Sequence, residues 1–402
     1  MFRDLRRSLA EKGEYAVLRG TVHTEHPTDL PILVVIYTGE KGNEQLVDDF
    51  VLAGPGPFFF FVPGDTYHLA AFEDVHRDFT YKPGVDPSAL LRGGEAITVE
   101  GGSTVENLDI EIRDAKHEPI PFAFSSADSS RIGDLSLADF SLAEVVRIDD
   151  PRFSMENARR GLWQPADFLR QVRAGVYFLE PYDPGKVPVL FVHGALGYPG
   201  NFSALISRLD RHRFQPWLVY YPSAVRLDTV AMSLDRWVQY LYVQYRYPRM
   251  AVVAHSMGGL VARAFVNRVI AANDGRAEGL RLFLTMSTPW DGHAAAQSGV
   301  DRAPVVAPAW YDMAPGSPFQ RSLLDTALPP TLGHDLLFSY AGTSRRMREA
   351  NDGTVTVASQ LESRVQSHAR MVRGYNETHT SILESVEVAA FLNQELVATT
   401  GE

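Results

Sequence analysis

Residues 251–265 read AVVAHSMGGLVARAF, and this stretch decides the fold. Four small or branched apolar residues form a strand pattern. Ala254-His255-Ser256-Met257-Gly258 follows, and the helical spacing of Val261, Phe265 and Val269 then takes over. A strand that turns sharply into a helix lifts the serine hydroxyl above the sheet and leaves little room for side chains beside it, hence the Gly-x-Ser-x-Gly pattern of a nucleophile elbow. Ala254 stands where the first glycine is usual, a mild departure because alanine has the smallest side chain bearing a Cβ. The alternative reading makes Ser256 an ordinary helix N-cap.

Outward from the elbow, residues 187–202 read VPVLFVHGALGYPGNF, a strand that ends in a His-Gly-Ala loop. A tetrahedral intermediate needs backbone N–H donors, and such a loop can present one beside the elbow. The expected donors are Ala195 and Met257, the latter because the first N–H groups of a helix have no intrahelical partner. His193 is expected to brace the loop.

A serine nucleophile needs a base, and the base an orienting carboxylate. Asp352, in NDGTV after the strand LLFSYAG, and His379, in NETH after ARMVRGY, lie in the right order and on loops at one sheet edge. Asp291 in STPWDGH competes for the acid role. His293, His334 and His368 compete for the base. Alternating strand and helix patterns over this half of the chain predict a mainly parallel sheet flanked by helices, with strands near 176–179, 187–192, 216–220, 251–254, 280–286, 336–340 and 369–375.

On these motifs (the HGA loop, AHSMGG, STPWDGH, PGSPF, DGTV and ETHTSIL) the chain from 181 to 392 resembles the α/β-hydrolase superfamily. Within it the likeness is to the lipase and esterase branch, near the serine esterases related to the GPI-inositol deacylase (PGAP-like) group. The resemblance implies a carboxylic ester hydrolase acting through an acyl-enzyme on Ser256, with a small-molecule or lipid ester as substrate and no metal or organic cofactor. An acyltransferase or an amidase would share the same triad.

Before the hydrolase pattern, seven short strand-like runs (15–23, 32–37, 46–52, 58–62, 67–73, 96–100 and 105–112) separated by Gly, Pro and Asp turns predict an all-β sandwich over 1–113. It loosely resembles transthyretin-like and carboxypeptidase-regulatory sandwiches. Phe58–Phe61 reads as buried strand, and Asp74-Val75-His76-Arg77-Asp78 as a solvated turn, because the sixth position of a calcium loop should be Gly and is Phe79 here. The Ser- and Asp-rich run 125–141 marks a boundary, giving 114–180 as linker and entry and 181–402 as catalytic domain. A Pro- and aromatic-rich stretch near 293–336 reads as a cap-like insertion. Its Trp310, Tyr311, Met313 and Phe319 are candidates for the acyl pocket, since so many large apolar groups must bury against something.

Composition limits the alternatives. In 402 residues there are no cysteines, which removes disulfides, thiol nucleophiles and Cys-based zinc sites. A net charge of -11 argues against a general affinity for nucleic acid or anionic lipid. No apolar run is long enough to span a bilayer. The charged start MFRDLRRSLAEKGEY lacks an apolar leader core, so the chain as written is expected in the cytoplasm; a removed leader would place it in the cell envelope or outside.

Overall fold

Period-two and buried-strand patterns build two different kinds of sheet in this chain. The computed structural model describes residues 1–39, 42–113, 118–124, 140–342 and 349–401. Its contacts divide the chain into two compact units, one of Arg7–Phe140 with Val238–Gln244, the other of Met1–Arg6, Ser141–Trp237 and Tyr245–Glu402.

The first unit holds β1 (Tyr15–Thr24), β2 (Ile32–Thr38), β3 (Gln45–Leu52), β4 (Gly56–Pro63), β5 (Asp65–Glu73), β6 (Ser88–Leu90), β7 (Ile97–Val99), β8 (Thr104–Val105) and β9 (Ile110–Ile112). One sheet runs β4-β1-β8 with β9 also on β1; the other runs β3-β2-β5-β6 with β7 also on β5. The two form a β-sandwich, and Phe50 of one sheet meets Phe59 and Phe60 of the other edge to face, with ring centroids 5.2 and 6.3 Å apart. Phe58 and Phe60 are buried, as the strand reading of that run expects.

Two expectations change here. The run 105–112 is not one strand, because Asn107 adopts a left-handed φ of 60° and splits it into β8 and β9. Asp74 to Asp78 is a turn with Val75 to Asp78 exposed, as its reading expects, but its first residue is not solvated. Asp74 is fully buried and its carboxylate accepts from the N–H groups of Asp78 and Phe79, at 3.2 and 2.7 Å, which stabilises left-handed Arg77 and Phe79. The Ser- and Asp-rich run taken as the boundary lies, but for its last two residues, outside the described residues.

The second unit is an eight-stranded sheet built from β10 (Phe140–Val145), β11 (Ala174–Phe178), β12 (Val187–Val192), β13 (Phe214–Tyr220), β14 (Met250–His255), β15 (Leu280–Met286), β16 (Gly333–Ser339) and β17 (Met371–Tyr375). Its order is β10-β11-β13-β12-β14-β15-β16-β17. β11 is antiparallel to β13, and every pairing from β13 to β17 is parallel. β10 and β11 precede residue 181, so the segment read as linker and entry already contributes two strands of this sheet, along with the helices Met155–Trp163 and Pro165–Gln171. Gly175 makes the β10 contact possible, since a Cβ there would lie 1.9 Å from the Ser141 carbonyl oxygen.

Register sets the site. Val192 pairs with Ala254, His255 with Met286, Met286 with Leu337, and Ser339 with Tyr375, so the carboxyl ends of five neighbouring strands open on one edge. Functional loops collect at that edge in open α/β sheets. The insertion between β15 and β16 starts from the same edge and folds into the helices Ala294–Arg302, Pro308–Met313 and Pro318–Leu323. Among the described residues, no helix is long and apolar enough to cross a membrane.

Candidate active site

Ser256 sits between β14 and the helix Met257–Ala272 with φ 56° and ψ −132°, a strained conformation for a residue with a Cβ. It occupies the N-cap position yet makes no capping bond with its side chain. The hydroxyl points to His379 instead. The strain is held by close packing on the far side of the turn. A Cβ on Gly258 would lie 2.4 Å from the carbonyl oxygens of Val192 and His193, and one on Gly259 would lie 2.0 Å from Thr288 Oγ1. The two glycines let the helix start directly against β12 and the loop after β15.

Ser256 Oγ and His379 Nε2 are 2.9 Å apart, and His379 Nδ1 is 2.7 Å from Asp352 Oδ2. The carboxylate can only accept, so Nδ1 carries the proton and donates, leaving the Nε2 lone pair to receive the serine proton. All three residues are buried. The backbone reinforces the pair, with His379 N–H donating to the Asp352 carbonyl at 2.9 Å. Burial by itself raises the Asp352 pKa, but the hydrogen bond and charge of His379 and the N–H donors of Val355 and Thr354 outweigh it and hold the carboxyl below its ordinary range.

The loop after β12 lies against the nucleophile, since a Cβ on Gly194 would be 2.8 Å from Ser256 Cβ and 3.2 Å from its Oγ. The N–H groups of Ala195 and Met257 donate to no acceptor among the described residues. His193 shapes this loop. Its Nε2 accepts from Tyr221 N–H at 3.3 Å, so Nδ1 carries the proton and donates to the Gly194 carbonyl at 2.9 Å. Tyr221 stacks on the ring at 4.2 Å. Burial pushes His193 down to about 4, which keeps it a neutral brace.

None of the competing residues joins this hydrogen-bonded series. Asp291 is exposed, and its N–H donates to the Ser359 carbonyl. His293 caps the helix Ala294–Arg302 by accepting from Ala295 N–H. His334 is buried against Phe283, with Nε2 3.1 Å from Thr285 Oγ1. His368 lies at the end of the short helix Ser363–His368.

A cavity of about 370 Å³ opens beside His379, lined by Ala341, Gly342, Asp352, Gly353, Thr354, Thr378 and Thr380. None of Trp310, Tyr311, Met313 and Phe319 lines it. Trp310 packs edge to face on Trp163 at 6.1 Å and covers Gly299, and Tyr311 is exposed. Met313 is buried and its carbonyl accepts from His293 N–H at 2.7 Å. Phe319 is half-buried. No group of three or more His, Asp or Glu side chains among the described residues could hold a metal ion.

Sequence reasoning did not find His255, Ser287, Ser339 and Gln360. His255 is the residue before the nucleophile, and its Nε2 lies 2.7 Å from the His379 carbonyl oxygen. Ser339 and Gln360 donate to Asp352, and Ser287 lies behind Ser339. Only the elbow position of His255 is a signal visible in one dimension.

Sheet order, elbow and loop placement define the second unit as an α/β-hydrolase fold carrying a serine, histidine and aspartate in hydrogen-bonded series. Residues 227–308 match the family described as Putative serine esterase (DUF676), a span that includes the elbow and ends before Asp352 and His379. No curated protein matches the chain. Among solved structures, the mature lipase BlEst2 from Bacillus licheniformis is 17% identical and is matched over 55% of this chain and 97% of its own, with a TM-score of 0.44. The lin2722 product of Listeria innocua is 16% identical over 52% and 94%, with a TM-score of 0.40. Phospholipase PlaB from Legionella pneumophila is 20% identical over 44% and 45%, with a TM-score of 0.37.

Proposed function

We propose that this chain hydrolyses carboxylic esters of the acyl or lipid type through an acyl-enzyme on Ser256. The observation that carries the reading is the unbroken series from Asp352 Oδ2 through His379 to Ser256 Oγ, with separations of 2.7 and 2.9 Å, at the strained turn of an elbow. The match of residues 227–308 to a serine esterase family supports it.

In this reading His379 Nε2 takes the Ser256 proton as Oγ attacks the ester carbonyl carbon. The negative charge that develops on the carbonyl oxygen is met by the N–H groups of Ala195 and Met257. His379, now doubly protonated and stabilised by Asp352, returns the proton to the leaving alkoxide as the C–O bond breaks. Water then gives a proton to the same nitrogen and attacks the acyl-enzyme, releasing the acid and restoring Ser256.

The leaving alcohol collects its proton from His379, so it leaves on the histidine side of the serine. The cavity lined by Thr354, Thr378 and Thr380 lies on that side, and we assign it to the alcohol half of the ester. The acyl chain is left to the side of the insertion between β15 and β16. The test is a panel of p-nitrophenyl esters of increasing acyl length, run beside a matched anilide and the Ser256→Ala variant. Turnover of esters by the parent, with none by Ser256→Ala and none of the anilide, is the expected result. Ester turnover that survives Ser256→Ala overturns the reading.

A further inference from the structure

Asp352 receives more donors than its partnership with His379 requires. Its Oδ1 accepts the N–H groups of Thr354 at 2.9 Å and Val355 at 2.7 Å. Its Oδ2, besides His379, accepts Ser339 Oγ–H at 3.0 Å and Gln360 Nε2–H at 3.2 Å. A carboxylate offers about four lone-pair sites, so five donors saturate it.

The outer groups are themselves fixed. Gln360 clasps the end of β16, accepting from Ser339 N–H at 2.9 Å through Oε1 and donating to the Ser339 carbonyl at 3.0 Å through Nε2. Ser287 Oγ lies 2.6 Å from Ser339 Oγ. Ser339 has one hydroxyl proton and the carboxylate can only accept, so that proton goes to Asp352 and Ser287 must donate to Ser339. Ser287, Ser339, Asp352 and Gln360 are all 1% exposed or less, so water does not compete for these bonds.

We propose that Ser339 and Gln360, with Ser287 behind Ser339, are positioning residues that anchor the Asp352 carboxylate and set the basicity of His379. This rests on the triad reading above. Each donor on Oδ2 draws negative charge away from the side that faces His379, and in a buried network such bonds polarise one another. Losing a donor makes Asp352 a stronger acceptor, stabilises the protonated imidazole and raises the pH at which His379 becomes available as a base. A part that only supported the fold would lower activity without moving that pH.

Two other titratable groups face the pair from neighbouring elements. His255, on β14, has its ring centroid 4.8 Å from that of His379, and His293 leads into the helix Ala294–Arg302. Burial, and after it the charge of His379, lowers both below the ordinary histidine range, His255 to about 3.

The experiment measures kcat/KM for p-nitrophenyl butyrate from about pH 5 to 9 in the full chain and in Ser339→Ala, Ser287→Ala and Ser256→Ala. The rate of Ser256 modification by an organophosphonate is followed over the same range. Ser339→Ala is expected to move the acid limb up by about half to one pH unit, and Ser287→Ala to move it less in the same direction. If Ser339→Ala fails to fold, Ser287→Ala carries the test, because it removes only the outer hydroxyl. An acid limb unmoved in both readouts, with Ser256→Ala inactive, overturns the network and leaves the triad standing. Activity in Ser256→Ala overturns the triad itself.

Discussion

His255 Nε2 lies 2.7 Å from the carbonyl oxygen of His379, so the residue before the nucleophile holds the backbone of the residue that would activate it. The carbonyl only accepts, which places the His255 proton on Nε2. One rigid element thereby positions both Ser256 and its base. His255→Phe, which keeps a ring but loses the donor, should lower kcat by about 10- to 100-fold through misplacement of His379 and leave KM within about threefold. His255→Gln, whose amide can still donate, should recover part of the loss. Steady-state kinetics on variants checked by thermal melting decide it, and an unchanged kcat in His255→Phe removes the positioning role.

The second expectation separates the two acids. Ser256→Ala and His379→Ala should each reduce kcat by about 10⁵- to 10⁶-fold in a folded protein. Asp352→Asn should come within about 100-fold of that, because an amide can stabilise the wrong tautomer of His379. Asp291→Asn, at an exposed position, should be close to the parent. The reverse ranking of the two Asp→Asn variants would move the acid to the loop after β15.

Packing at the elbow gives a third expectation. A Cβ on Gly259 would meet Thr288 Oγ1 at 2.0 Å, Cγ2 at 2.7 Å and Cβ at 2.9 Å, so Gly259→Ala should destabilise the protein by about 1 to 3 kcal/mol from overpacking alone. Adding Thr288→Ala removes the two closest atoms and should return a measurable part of that loss. Urea melts of the single and double variants are the check, and equal destabilisation in both would place the clash elsewhere.

How much of this could be read in one dimension depends on how local each determinant is. The elbow, the His-Gly-Ala loop and the order of Ser256, Asp352 and His379 are legible because strand and helix periods flank them and the chain order follows the sheet. β10 was not legible. Its sequence FSLAEV carries little apolar alternation, and it joins the sheet through a close approach to Gly175 that no local pattern encodes. Ser287 and Ser339, at strand ends, and Gln360, at the end of the short helix Val357–Gln360, look like any polar residues; only the register of β15 and β16 and the return of the chain after Asp352 bring Ser339 and Gln360 to one carboxylate, with Ser287 behind Ser339. The insertion was legible as apolar and structured, but which of its aromatic residues face outward depends on how its three helices pack.

Buried histidines give a pH expectation for stability. Burial lowers His193 to about 4, and His255 and His334 to about 3. For His255 the nearby charge of His379 adds to the effect, and for His334 that of Arg263. Each folded value lies below the unfolded histidine value of about 6.5. Below that pH the unfolded chain binds more protons than the folded one, so stability falls as pH drops, until the folded histidines protonate in turn. Each such histidine contributes a slope of about 1.4 kcal/mol per pH unit below about pH 6. Replacing His334 by Gln should flatten the decline between about pH 6 and 5 by roughly that amount. Urea denaturation at several pH values measures the slope, and an identical slope in the variant would mean that His334 is not held neutral.

The last expectation sorts the residues of the insertion. The segment leaves β15 at the edge where the elbow opens, and the Met313 carbonyl accepts from His293 N–H. His293 is close enough to the pair for the charges of His379 and Asp352 to act on its proton. Met313 is therefore tied to a residue beside the triad, and half-buried Phe319 follows it across the short turn at Pro315 and Gly316. Trp310 has a different setting, packed on Trp163 and over Gly299, where it holds the insertion's helices together. Met313→Ala and Phe319→Ala should shift the preference among p-nitrophenyl esters of different acyl length, each lost contact changing discrimination by about 1 to 3 kcal/mol. Trp310→Ala should lower the melting temperature, because a large packed ring is removed, while leaving the chain-length profile of the surviving enzyme close to the parent's. The Arg226 guanidinium lies over the Tyr311 ring, 6.0 Å from its centroid, and Tyr311 is exposed, so Tyr311→Ala should do little to either. If Met313→Ala and Phe319→Ala fold and keep the parent profile within about twofold, the acyl chain does not run under the insertion.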